Sequence, residues 1–294
     1  VMTNIAQYAF SQKNKVTVLS DGSKHSSLDF DTKCKFDIYR FDQIKFLRKR
    51  IKSSFANNFL KKNKINLIFF DSWKSLESFN YNTDAKKICL AHGNEILKLS
   101  NKDRIINSFN KADYIIYNSE FTKNKTIKNF KSLKKIKNTI IYPAFIKKNQ
   151  KIKINKKKYD LCTVARLELR KGHHLVFEAM SILKNQYNIL IKYAILGDGP
   201  DLSRLKDLVI KFSLHGQVDF IHHDYPAEKI YKNSSVHIMP TLTTPDSIEG
   251  FGISNVEAAA FGLPCVVSNS GGTPESIGDN GIIVKENDPR QIAK

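Results

Sequence analysis

A chain of 294 residues that is 41% hydrophobic can bury one large core or two ordinary ones, which sets disorder aside and favours two domains. The net charge of +20 is uneven: residues 195–294 hold 8 Lys+Arg and 13 Asp+Glu, a net of −5, so residues 1–194 carry +25. No apolar run approaches the roughly 18 residues a bilayer-spanning helix needs, and the opening VMTNIAQYAF has no basic segment ahead of an apolar one, as a secretory signal would.

Short apolar runs alternate with amphipathic segments along the whole chain. Val16–Ser20, Ile65–Phe70, Ile88–Ala91 and Tyr114–Asn118 read as buried strands with helical patterns between them. A second series places strands at Tyr159–Ala165, Leu190–Leu196, Val218–Ile221, Val236–Met239, Cys265–Ser268 and Gly281–Val284. This alternation predicts an α/β protein of two Rossmann-like, doubly wound parallel-sheet domains facing across a cleft, with ligands beyond the carboxyl ends of the strands. Tyr142-Pro143 and the lysine-rich run after it mark the boundary, giving domains at 1–145 and 159–294 and a linker at 146–158. Both ends read as cut. Residues 1–13 look like the end of a helix whose preceding strand lies upstream, and Asp288-Pro289 opens a helix that Lys294 interrupts, so a fragment is expected.

The basic residues concentrate in two acid-free blocks, Gln43–Phe70 and Phe121–Tyr159, the second with fourteen lysines. A solvated lysine surface is the plain reading. An anionic membrane surface is the next, since each nearby lysine there contributes about 1 kcal/mol. Nucleic acid is not expected as a partner, because no arrangement that reads bases accompanies the charge. Cys34, Cys89, Cys162 and Cys265 lack CxxC spacing, and three lie in or beside apolar runs, which fits a reducing cytoplasm. The expected location is cytoplasmic, free or peripheral on the inner face of the membrane.

The most informative stretch is Glu249–Glu257, EGFGISNVE. A helix from Gly252 to Gly262, stopped by Leu263-Pro264, would put Glu249 in the approach loop and Glu257 inside the helix. The backbone N–H groups of Phe251, Gly252 and Ile253 at its start would then favour an anion such as a diphosphate. Carboxylates beside such a site make sense as acceptors for ribose and sugar hydroxyls. An ordinary helix with a glycine-rich entry would carry the same letters. Arg166 ends an apolar run and Lys171 follows in ARLELRKG, offering two cations to a departing diphosphate without a metal. Ordinary exposed charge competes with that reading, most readily for Lys171. Gly197 in LGDGP, the SGGTPE turn at Ser270–Glu275, and His92 in AHG each follow a strand and face the same side, although a structural histidine would serve equally at position 92.

The order ARLELRKG, LGDGP, IEGFGISNVEAAAFGLPCVV, SGGTPE closely resembles glycosyltransferase family 4, the group 1 retaining transferases, including the phosphatidylinositol mannosyltransferase-like branch. The likeness covers the second domain almost completely; in the first it rests on AHGNE and ADYIIYNSEFTK. It implies a GT-B fold, a UDP-, GDP- or ADP-sugar donor, a glycan or lipid-linked acceptor, retention of anomeric configuration and no metal or other cofactor. It further implies that Arg166 and Lys171 hold the diphosphate, that Glu249 contacts the donor sugar, that Phe251, Gly252 and Ile253 offer amides, that Glu257 binds ribose and that His92 approaches the reacting carbon. The family's N-terminal glycine loop is not found in the chain. Hexose transfer in cell-envelope polysaccharide or glycolipid synthesis is the implied role. An epimerase of the same fold and a noncatalytic nucleotide-sugar-binding partner are the alternatives.

Other motifs carry less. Asp29-Phe30-Asp31 matches the DxD of metal-dependent transferases but lies in a polar stretch. His222-His223-Asp224 and His173-His174 lack companions at zinc spacing and read as polar surface. No GxSxG is present.

Overall fold

The computed structural model describes residues 2–22, 28–93, 99–145 and 157–294. Residues 146–156 of the expected linker, and Asn94 and Glu95 of AHGNE, lie outside the described residues. By its internal contacts the chain divides into two compact units, residues 1–91, 100–116 and 130–139, and residues 92–99, 117–129 and 140–294.

The first unit begins with α1 (Met2–Ser11), β1 (Thr17–Asp21), α2 (Leu28–Lys33), β2 (Asp37–Phe41) and α3 (Lys45–Lys62). It continues with β3 (Leu67–Phe70), α4 (Trp73–Glu77), β4 (Lys86–Ala91), α5 (Lys102–Phe109) and β5 (Tyr114–Tyr117). Helix α6 (Glu120–Asn129) belongs to the second unit, and β6 (Asn138–Ile140) follows it. The strands form a parallel β1-β2 pair and a four-stranded sheet in the order β3-β4-β5-β6. Trp73, Leu76, Ile105, Phe109, Ile115 and Leu133 are fully buried around the larger sheet. The strands β2 and β6 were not expected from the sequence. Asp37–Phe41 alternates exposed and half-buried positions inside a polar stretch, and β6 has three residues within the lysine-rich block, so neither presents an apolar run.

The second unit carries β7 (Tyr159–Val164), α7 (His173–Tyr187), β8 (Tyr193–Leu196), α8 (Leu202–Lys211), β9 (Val218–Ile221) and α9 (Ala227–Lys232). Beyond them lie β10 (Ser234–Met239), α10 (Ile253–Ala260), β11 (Cys265–Ser268), β12 (Gly281–Val284) and α11 (Pro289–Ala293). Its six strands run in the order β12-β11-β10-β7-β8-β9, every neighbouring pair parallel.

A parallel sheet covered on both faces needs apolar side chains pointing both ways, and β8 supplies them. Tyr193 and Ile195 enter a cluster with Val176, Phe177 and Met180 of α7 and Leu205 of α8. Ala194 and Leu196 enter another with Tyr231 of α9, Ala258 of α10 and Val267 of β11. Each large side chain buried in this way contributes about 1.5–3 kcal/mol. Such a core fixes the height at which every strand ends, and the candidate site is built from the turns at those ends. Helix α11 opens as the sequence predicts, with Asp288 Oδ1 accepting from Gln291 N at 3.0 Å.

Candidate active site at the strand ends of the second unit

Beyond β7 the chain passes through Arg166 into a single 3₁₀ turn, Leu169–Lys171, closed by Gly172. The turn aims Arg170 and Lys171 at one carboxylate. Arg170 Nη1 donates to Glu249 Oε2 at 2.8 Å, and Lys171 Nζ donates to the same oxygen. The three side chains are mostly buried, with exposures of 15%, 11% and 16% for Arg170, Lys171 and Glu249. Burial alone would raise the Glu249 carboxyl, but the Lys171 ammonium and then the Arg170 guanidinium outweigh it and hold the group below the usual carboxylate range.

Arg166 lies elsewhere in the same chain of charges. Its side chain is 73% exposed and sits 3.1 Å from Glu168 Oε1, while Arg170 Nε is 3.2 Å from Glu168 Oε2. Three cations thus alternate with two carboxylates, leaving one positive charge over, which suits an anionic ligand. This arrangement reverses the expectation that Lys171 is the more ordinary surface charge: Lys171 is buried and Arg166 is exposed. Glu168 and Arg170 were missed. The signal for them was the glycine that ends the turn, since a tight turn before Gly172 brings positions 168, 170 and 171 to one side.

Arg166 and Gly197 share a cavity of about 510 Å³ with Asp198, His223 and Tyr225. Its walls are the residues leaving β7, β8 and β9.

The loop carrying Glu249 is held by backbone contacts. Gly272 N donates to Glu249 O at 2.9 Å, and Ser119 Oγ donates to Gly250 O at 2.6 Å. Gly250 must be glycine, because a Cβ there would stand 1.9 Å from the carbonyl oxygen of His92. That carbonyl also accepts from Asn118 Nδ2 at 3.0 Å. The backbone of His92 is therefore fixed against the loop that bears Glu249. Gly252 takes φ +99° immediately before α10, a conformation open to glycine, so the helix starts where the sequence predicts.

Phe251 is buried and stacks on Tyr142, with ring centroids 5.5 Å apart and an interplanar angle of 20°. Only its backbone can face a ligand. Ile253 is exposed at the first position of α10. Glu257, one turn further, is half-buried and accepts from Tyr231 Oη at 3.0 Å, and burial raises its carboxyl above the usual range. The two glutamates therefore differ: Glu249 is held ionised by two cations, whereas Glu257 has a neutral hydroxyl partner.

Behind these loops lies a buried polar layer. His237 Nε2 is 3.1 Å from Asn255 Oδ1, Asn255 Nδ2 donates to Ser276 Oγ at 2.7 Å, and Ser276 Oγ donates to Thr273 O at 2.6 Å. This layer ties α10 to the SGGTPE turn. His173 is buried, not on the surface as read from the sequence, with Nδ1 3.2 Å from Tyr193 Oη. Burial, with the charge of Lys171, pushes His173 down to about 3, and burial pushes His237 down to about 4. Both rings are neutral scaffolding. In the DxD stretch, Asp31 is engaged by Arg40 in a two-pronged pair of 3.1 and 2.9 Å. Among the described residues no helix is long and apolar enough to cross a membrane.

Comparison with known proteins extends this geometry. A family model for glycosyl transferases group 1 matches residues 144–294. A putative colanic acid biosynthesis glycosyltransferase of Salmonella typhimurium is 32% identical over 139 residues, 46% of this chain and 34% of that protein. An uncharacterized glycosyltransferase of Methanocaldococcus jannaschii is 31% identical over 237 residues, 71% of this chain and 57% of that protein. The chain thus spans between about a third and somewhat more than half the length of these relatives. Among solved structures, a glycosyltransferase from Rickettsia africae superposes with a TM-score of 0.75 at 17% identity, covering 99% of this chain and 81% of that one. Anabaena HepE in complex with UDP-glucose gives 0.73 at 17% identity, covering 98% and 83%. The fold is the expected GT-B. Since the family model matches just over half of the chain, and the matched residues include Arg166, Lys171, Glu249 and Glu257, the chain belongs to the glycosyl transferases group 1 family.

Proposed function

We propose that this chain carries the donor-binding machinery of a family 4 retaining glycosyltransferase that moves a hexose from a nucleotide diphosphate sugar to a glycan or lipid-linked acceptor of the cell envelope. The observation that carries the reading is the run of alternating charge from Arg166 through Glu168, Arg170 and Glu249 to Lys171, with one cation uncompensated. A diphosphate leaving group gains negative charge as the glycosidic bond breaks, and preorganised cations that already hold their positions stabilise it without reorganising.

In this reading Lys171 and Arg166 meet the diphosphate, the amides of Phe251, Gly252 and Ile253 complete its contacts, and Gly197 leaves room at the pocket wall. Glu249 accepts from the donor sugar and Glu257 from the ribose. His92 lies by the reacting carbon. The leaving diphosphate takes the acceptor's proton on the same face, so no divalent ion or protein nucleophile enters the chemistry. UDP-hexoses are the first donors to try, since HepE holds UDP-glucose. Relatives named for colanic acid and amylovoran synthesis point to envelope polysaccharide as the destination. The lysine-rich first unit docks the enzyme on anionic lipid.

The test is a thermal-stabilisation screen of UDP, GDP and ADP sugars, followed by transfer assays on the best donor. Arg166→Ala and Lys171→Ala should each lower turnover about 100-fold or more with folding intact, the loss expected for one transition-state charge partner. Near-normal transfer by both variants would overturn the assignment. Donor binding without transfer or hydrolysis would favour a noncatalytic binding partner.

A further inference from the structure

The parallel pairing of β8 with β9 sets Leu196 opposite Ile221, so both strands end at the same height. The backbone ladder continues one step, with Gly197 N donating to Ile221 O at 3.0 Å. Asp198 from one turn and His222-His223 from the next therefore emerge side by side, although they are far apart in sequence. A tight turn, with Tyr225 N donating to His222 O at 3.0 Å, folds the second segment so that the two imidazole rings lie 4.1 Å apart. Asp198 is oriented as well. Its Oδ1 accepts from Gly199 N at 2.7 Å, and its Oδ2 lies 4.0 Å from His223 Nδ1.

We infer that Asp198, His222 and His223 form a binding site for one divalent transition-metal ion of the zinc class. One ligand atom from each residue lies within 4.8 Å of the others. Ligands about 2.0–2.1 Å from a tetrahedral ion stand roughly 3.3 Å from one another, so side-chain rotations that shorten these separations by up to about 1.5 Å close the set. All three side chains are more than half exposed and can make that movement. Two imidazoles and one carboxylate select zinc, cobalt or nickel over magnesium or calcium, which take oxygen ligands throughout.

Asp224 supplies the surrounding support. Its carboxylate oxygens lie 3.0 Å from His222 Nδ1 and 3.3 Å from His223 Nε2, so a second carboxylate stands against both rings. A carboxylate in this position can turn to accept from the ring nitrogen that does not bind the ion, which orients a metal-bound imidazole and strengthens it as a donor. With Asp198 it brings two negative charges to the cluster, matching a dication. Two sequence neighbours could not have shown such a site, because the third ligand comes from the adjacent strand. Asp198 and His223 also line the cavity beside Arg166. An ion held tetrahedrally by these three would keep its fourth position for water. The inference does not depend on the transferase reading.

The experiment titrates the untagged, metal-free full chain with Co²⁺, read by visible d–d absorption, and with Zn²⁺ by calorimetry. One ion per chain at micromolar affinity is expected. His222→Ala, His223→Ala and Asp198→Asn should each weaken binding about tenfold or more, the double histidine variant should abolish it, and circular dichroism should show all four folded. Cys34→Ser, the only cysteine of the four that is not buried, should bind as the unaltered chain does. Absence of binding below millimolar concentration, or undiminished binding by the double histidine variant, would overturn the site.

Discussion

Glu249 is a single carboxylate shared by two cations, and removing it does more harm than removing either partner. Glu249→Gln leaves the mostly buried Lys171 without its carboxylate and Arg170 with Glu168 alone, whereas Lys171→Ala leaves Arg170 paired with both carboxylates. Breaking such a pair by deleting the common ion costs about 3 kcal/mol, and deleting one of two cations about 1–2 kcal/mol. Urea unfolding at pH 7 should therefore rank Glu249→Gln as the less stable variant; the reverse order would mean that the cluster is held by something other than these charges. Acid acts on the same neighbourhood from two directions. Glu249 is held below its ordinary range, so its stabilisation is complete above that range and is lost as pH falls through its folded value. His173 and His237 are depressed to about 3 and about 4, so the unfolded chain takes up protons near pH 6.5 that the folded chain refuses. Stability should therefore start to fall below about pH 6.5, before carboxylates alone would cause it. His237→Gln should flatten the decline between pH 6.5 and pH 4 in melting experiments; an unchanged slope would remove His237 from the account.

The elements of the second unit are tied by their ends. Glu275, in the SGGTPE turn, accepts from the N–H groups of Glu120 and Phe121 at 2.7 and 2.8 Å, capping α6 with a carboxylate from more than 150 residues away. Ser119 joins that helix start to the Glu249 loop through Gly250. Glu275→Ala should cost about 1–2 kcal/mol and speed amide exchange at residues 120–123, since both a cap and a favourable charge at the helix start are lost. Unaltered exchange there would show that α6 does not depend on the cap. Much of this level was legible beforehand. Helix α10 lies inside the limits set by Gly252 and Gly262, and β9, β11 and β12 have the bounds their apolar runs predict. The strand expected from Leu190 starts instead at Tyr193, because Leu190 belongs to an exposed apolar approach. The cap on α6, the Arg170–Glu249 pair and the turn that gathers Asp198 with His222 were not legible. Each depends on which strands are neighbours, and local pattern does not encode that.

At the scale of the whole molecule, the charge division of +25 against −5 takes structural form in α3. This helix carries seven basic residues, has no buried side chain and leaves Phe46, Leu47 and Ile51 exposed. Arg48 and Lys52 answer Asp21 and Lys49 answers Glu77, but other lysines and arginines of the helix remain for an external surface. Vesicles rich in anionic lipid should pull the protein down at least about tenfold more strongly than neutral ones, and salt beyond 0.5 M should erase the difference as the screening length shrinks. Equal binding to both would reduce the charge to composition. The composition of the second unit has its own consequence for anyone who wishes to dissect the protein. Segments 92–99 and 117–129 belong with residues 140–294 although they are encoded well before them. A polypeptide cut at the lysine-rich run would carry the Glu275 carboxylate and the Gly250 carbonyl without the groups that satisfy them. Exchange of second units between relatives would succeed only if these two short segments travelled with the unit they complete.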